Sequence, residues 1–166
     1  MPRDLVAPVC HLKGNHDFGS NNLSQHLLDR LLATGAYHRH VEMLRGVYRS
    51  KRDAMLRALE AEFAVWPEVK WTRPAGGLYV WLSFPPGFDA GPAGKLEPRA
   101  LDAGVLYVPG EFGHVPDEFG AVPKNKARLS FGVAGPDQIA EGVRRLRQAC
   151  RGLERTGKGS PKAVGV

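Results

Sequence analysis

Arg73-Pro74-Ala75-Gly76-Gly77-Leu78-Tyr79-Val80-Trp81-Leu82-Ser83-Phe84-Pro85 is the stretch from which the fold is read. A Pro-Ala-Gly-Gly turn opens onto alternating large apolar residues, and Pro85-Pro86-Gly87 ends the run, which predicts a well-packed strand over Leu78 to Phe84. Two adjacent glycines, Gly76 and Gly77, predict close approach of another backbone or of a ligand. Some fifty residues on, Ala127-Arg128-Leu129-Ser130-Phe131-Gly132-Val133 reads as a second strand. Alternation puts Leu129, Phe131 and Val133 on one face and Arg128 and Ser130 on the other. The pairing of these two strands is where function is expected.

Around this pair the chain organises as α/β. Val69 to Thr72 and Val105 to Val108 read as short strands, Leu96 to Ala103 as a short helix stopped by Gly104, and Pro136 to Cys150 as a closing helix with Ile139, Val143 and Leu146 inward. Upstream, Val41, Leu44, Tyr48, Met55, Leu59 and Phe63 mark one uninterrupted helix from Ala36 to Phe63. At about 1.5 Å per residue it is on the order of 40 Å long, a length suited to bridging two bodies. Leu23, Leu27, Leu28, Leu31 and Leu32 mark another helix, with Ser20, Asn21 or Asn22 as its cap. Residues 2–13 are helical in pattern with Pro8 expected to kink or split them, and residues 14–22 read as a polar loop. Residues 155–166 are too small and polar to pack and read as a disordered tail.

Composition sets limits on function. The 166 residues, 43% hydrophobic and 24% charged, are ordinary for a globular chain. Cys10 and Cys150 have no metal-type spacing and read as reduced. There is no apolar run for a membrane span and no secretory leader, so a cytoplasmic location is expected. The net charge of +6 is spread over helices that also carry Glu and Asp, so nucleic-acid binding is not expected. His38 and His40 project about 200° apart on a helix, and no metal site is expected from them. No Ser/His/Asp set has local support, and no catalytic residue is assigned.

Arg128 is the sharpest candidate. A solvated sheet face or an ion pair is one reading; the other is a rigid guanidinium fork that takes a carboxylate in two parallel hydrogen bonds, a task lysine performs poorly.

Read in order, Tyr48-Arg49-Ser50-Lys51-Arg52-Asp53, Pro74 to Leu82, Gly104-Val105, Val108-Pro109-Gly110-Glu111-Phe112, Ala127 to Phe131 and Ile139 to Leu146 form a series. The series resembles the C-terminal part of a class I/II, fold-type I, pyridoxal-phosphate-dependent aminotransferase of the 2-aminoadipate or multi-substrate kind, a fold that also serves as the effector domain of some helix-turn-helix regulators. The resemblance covers nearly all of residues 3–153. It implies a large-domain remnant over residues 1–35, an interdomain helix over 36–64, a small α/β domain over 65–153 and a tail over 154–166. It also implies that Arg128 binds the α-carboxylate of an amino or 2-oxo acid and that Gly76 and Gly77 form the turn beside the substrate entrance. Ser20 and Asn21 would lie in a loop that reaches the cofactor pocket of a neighbouring subunit in a homodimer. The family's cofactor lysine precedes the segment that matches this chain: Lys13 ends a later helix, and Lys51 lies within the long one. The expectation is therefore an aminotransferase part that is inactive alone, the alternative being a non-catalytic carboxylate-sensing or dimerisation module.

Overall fold

The computed structural model describes residues 1–19 and 21–154. They form two compact units, divided between Arg45 and Gly46. Ser20 and the expected tail at 155–166 lie outside the described residues.

The first unit is helical. Helix α1 runs over Arg3–Asp17 and α2 over Asn22–Ala33, and the opening turns of α3 (Ala36–Phe63) complete it. Asn21 caps α2, its side-chain oxygen accepting the Ser24 backbone N–H at 2.9 Å. Gly35, at φ +71°, makes the turn into α3. Helix α1 departs from expectation. It passes unbroken through Pro8 and continues beyond Gly14 to Asp17, where Phe18 in the left-handed region ends it and returns its N–H to the Gly14 carbonyl. An ion pair from Lys13 to Asp17 at 2.6 Å spans Gly14 and joins the last two turns.

The second unit contains the core. Its sheet has the order β1-β2-β4-β3, with β1 over Lys70–Trp71, β2 over Tyr79–Ser83, β3 over Val108–Pro109 and β4 over Lys126–Ser130, every neighbouring pair antiparallel. Helix α4 spans Leu96–Asp102, a 3-10 turn spans Gly110–Gly113, and α5 spans Pro136–Cys150. Pro136 stands at the first helical position of α5, and Gln138 Oε1 accepts the Gly135 N–H at 3.0 Å. Val80, Leu82, Ala127 and Leu129 supply the buried face of the sheet. They join Leu59 and Phe63 of α3, Leu96 and Ala100 of α4, and Ile139, Val143 and Leu146 of α5 in one hydrophobic cluster.

Three strand expectations are corrected. Of residues 105–108 only Val108 pairs, with Pro109 completing the short strand, because the Val105 N–H is already given to the Ala100 carbonyl at the end of α4 and Leu106 projects outward, 81% exposed. Strand β4 ends at Ser130, whose hydroxyl accepts the Gly132 N–H at 3.3 Å and turns the chain. Val133 is consequently 93% exposed instead of facing inward with Leu129 and Phe131.

Candidate carboxylate site

The site is built from alternation plus register. Tyr79, Trp81 and Ser83 of β2 and Lys126, Arg128 and Ser130 of β4 occupy the face opposite the core. Register places Trp81 beside Arg128, Tyr79 beside Ser130 and Ser83 beside Lys126, with Val108 of β3 on the other side of Arg128. The Arg128 guanidinium carbon lies 4.4 Å from the centroid of the Tyr79 ring, a diagonal cation–π stack that fixes the plane of the fork.

The Arg128 side chain makes no hydrogen bond or ion pair among the described residues, and its Nε is buried without a partner. A half-buried cation with an unsatisfied donor is costly unless an anion completes it. A planar carboxylate is the group whose geometry matches the fork. The expected placement of Arg128 away from the core face, on the strand that pairs with β2, is what the structure has.

At the β3 end of this face His114 lies edge-on to Trp81, ring centroids 5.4 Å apart. Its Nδ1 is 2.8 Å from the Gly110 carbonyl, which can only accept, so Nδ1 carries the proton and Nε2 is left to accept from Lys126 Nζ at 3.3 Å. A Cβ on Gly110 would come 2.4 Å from Lys126 Cβ, and one on Gly113 2.7 Å from the Trp81 ring, so both glycines allow the 3-10 turn to close against the sheet. This cluster is not among the candidate residues read from the sequence, where the Gly110-x-x-Gly113 spacing is its only visible trace.

The two glycines that open β2 behave differently from expectation. A Cβ at Gly76 or at Gly77 would meet no atom of the described residues within 4 Å, so no described backbone crowds the Cβ side of either glycine. Gly77 answers to its φ of +80°, while Gly76 carries no positive φ.

The Asn21 side-chain oxygen is engaged at the head of α2, and three lysine amines are committed elsewhere: Lys13 to Asp17, Lys51 to the Gly132 and Val133 carbonyls, and Lys126 to His114. No cluster of three or more His, Cys, Asp or Glu able to hold a metal occurs among the described residues. No described helix is long and apolar enough to cross a membrane.

No family model matches this chain. It is 40% identical over 150 residues to a 2-aminoadipate transaminase of Thermus thermophilus, covering 90% of this chain and 35% of that protein. The crystal structure of LysN, an α-aminoadipate aminotransferase of Thermus thermophilus complexed with N-(5'-phosphopyridoxyl)-L-leucine, superposes with a TM-score of 0.73 at 38% identity, over 92% of this chain and 36% of that one. At 27% identity the chain also aligns with an uncharacterized HTH-type transcriptional regulator of Bacillus subtilis, YdfD, over 87% of its own length and 28% of the regulator's. Over the part that it spans, the chain is an aminotransferase homologue with the aminotransferase fold. It spans about a third of the length of the curated aminotransferases it matches.

Proposed function

We propose that this chain supplies the substrate-carboxylate half of a pyridoxal-phosphate-dependent aminotransferase, with Arg128 as the anchor for the α-carboxylate of an amino or 2-oxo acid. The observation that carries the reading is the unpartnered Arg128 fork, oriented by Tyr79 on the sheet face opposite the core. A guanidinium locked by stacking loses little freedom when a carboxylate docks, so binding energy goes into orienting the substrate. When bound, pyridoxal phosphate supplies the electron sink for amino transfer.

Residues outside this chain would hold that cofactor, and the chain alone would be inactive. Gly76 and Gly77 then form the turn at the substrate entrance, and Asn21 approaches the cofactor pocket of a second subunit in a cytoplasmic homodimer. The division into residues 1–35, 36–64 and 65–153 goes with the same reading.

Calorimetric titration of the chain with 2-oxoglutarate tests the anchor: binding is expected in the wild type, weaker binding in Arg128→Lys and none in Arg128→Ala. Equal binding in Arg128→Ala would remove it. Incubation with pyridoxal phosphate followed by borohydride is expected to leave no lysine stably modified; one specifically labelled lysine would contradict the assignment of the cofactor to residues elsewhere.

The regulator relative favours a second reading, in which the same carboxylate site senses its ligand without turnover. Carboxylate binding that persists when the chain is joined to the remainder of such a protein, with no amino transfer, would select it.

A further inference from the structure

The helix motif Tyr48-Arg49-Ser50-Lys51-Arg52-Asp53 has no task in the reading above, yet two of its cations reach far along the chain. Successive helical residues point about 100° apart, so Lys51 and Arg52 serve different targets. Lys51 Nζ donates to the carbonyls of Gly132 and Val133, both at 3.1 Å, in the segment that leaves β4. Arg52 Nη1 donates to the carbonyls of Pro74 and Ala75 at 3.5 and 3.4 Å, in the turn that enters β2, while Asp53 Oδ1 holds its Nε and Nη2 at 2.9 and 2.7 Å.

Both targets lie at the same end of the β2–β4 ladder. The last registered pair there is Tyr79 with Ser130, and the Phe131 N–H extends the pairing by donating to the Leu78 carbonyl at 3.0 Å. Tyr79 is the ring on which Arg128 stacks, and Ser130 is the next residue on the guanidinium's face. Arg128 and the two helix cations are therefore used in opposite ways. Arg128 keeps its donors free of carbonyls, whereas Lys51 and Arg52 spend theirs on backbone oxygens, which fixes position more than charge.

We infer that Lys51 and Arg52 are positioning residues for the Arg128 site: from α3 they pin the two segments bounding the Tyr79–Ser130 end of the ladder and so keep the ring beneath the guanidinium. This inference rests on the reading of Arg128 as a carboxylate anchor. A purely cohesive role for the two cations predicts lower stability with unchanged carboxylate affinity. Positioning predicts lower affinity in the folded protein.

The test is an NMR titration of the full ¹⁵N-labelled chain with 2-oxoglutarate, following the Arg128 Nε–H cross-peak, which is identified by its loss in Arg128→Lys. The wild-type peak is expected to shift and saturate. In Lys51→Met and in Arg52→Gln half-saturation is expected to need about tenfold more ligand, whereas Lys51→Arg, which can still reach both carbonyls, stays within about threefold of wild type. Half-saturation of folded Lys51→Met and Arg52→Gln at the wild-type concentration overturns the positioning role and leaves the anchor standing. A wild-type peak that never moves sinks the anchor and the positioning role with it. Should Lys51→Met not fold, Arg52→Gln alone against wild type decides by the same criterion.

Discussion

The two units make use of similar helical patterns with different results. In α1 and α2 no residue is buried, and Leu5, Leu12, Leu23 and Leu27 remain exposed. In the second unit the same spacing of apolar residues leads to Leu59, Phe63 and Leu146, each at 1% exposure or less. Even within α3 the buried positions begin only at Ala54. Periodicity thus specifies which side of a helix is apolar, while burial depends on a sheet or second helix arriving to cover it.

The contrast can be broken most directly by truncation. Phe63→Ala is expected to cost about 3–5 kcal/mol in urea unfolding followed by circular dichroism, because its site is sealed on all sides. Leu27→Ala, in a side chain 60% exposed, should stay within about 0.5 kcal/mol. A large loss at Leu27 would mean that the α2 face is covered in solution.

The two cysteines report on the same contrast, one in each unit. Cys10 is exposed; Cys150 is buried, and burial pushes its thiol up to about 12. A thiol reagent at neutral pH should modify Cys10 promptly and Cys150 only after denaturant is added. The raised folded value also means that the unfolded thiol ionises first, so the Cys150 contribution to stability is full below about pH 9 and declines towards pH 12. Cys150→Ala should flatten that alkaline loss.

A smaller effect separates the two glycines before β2. Gly77→Ala forces a side chain to φ +80° and should cost about 1–2 kcal/mol, while Gly76→Ala should be close to neutral. Equal effects would restore a close-packing role for the pair. The smallest change concerns Glu141, held at about 2 by hydrogen bonds from Arg144 and then Arg145 on the surface of α5. Its folded value is depressed, so any stabilisation is present above about pH 4.5 and disappears as pH falls towards 2. The difference in melting temperature between wild type and Glu141→Gln should be slight at neutral pH, because water screens these surface ion pairs, and should vanish in acid.

Much of this architecture is legible in the residues themselves. The bounds of α3 and α5 follow from apolar spacing with Gly35, Pro67 and Pro136 as punctuation, and Val41, Leu44 and Tyr48 are the less exposed positions of their turns. Arg128 stands out because a guanidinium set between the apolar residues Ala127 and Leu129 of a strand needs a reason. Strand register, by contrast, is a long-range property: nothing near Arg128 says that Trp81 stands beside it or that Tyr79 lies beneath it. The same holds for Lys51, whose carbonyl partners are some eighty residues away. Val105-Leu106 misled because an apolar run shows only the capacity to pair, and the Val105 N–H was taken by the end of α4. At Gly14 the helix outlasted its breaker with help from a pair, Lys13 and Asp17, whose partnership depends on the helix being there.

The order of the strands has a consequence for how molecules of this protein meet one another. The outer strands, β1 and β3, contribute two residues each, and one of those four is Pro109, which has no N–H to donate. The long strands pair with each other over their whole length, while β1 flanks β2 at Leu82 and Ser83 and β3 flanks β4 at Ala127 and Arg128. A foreign strand that docked on either outer strand of the described sheet would therefore find a ladder only two residues long.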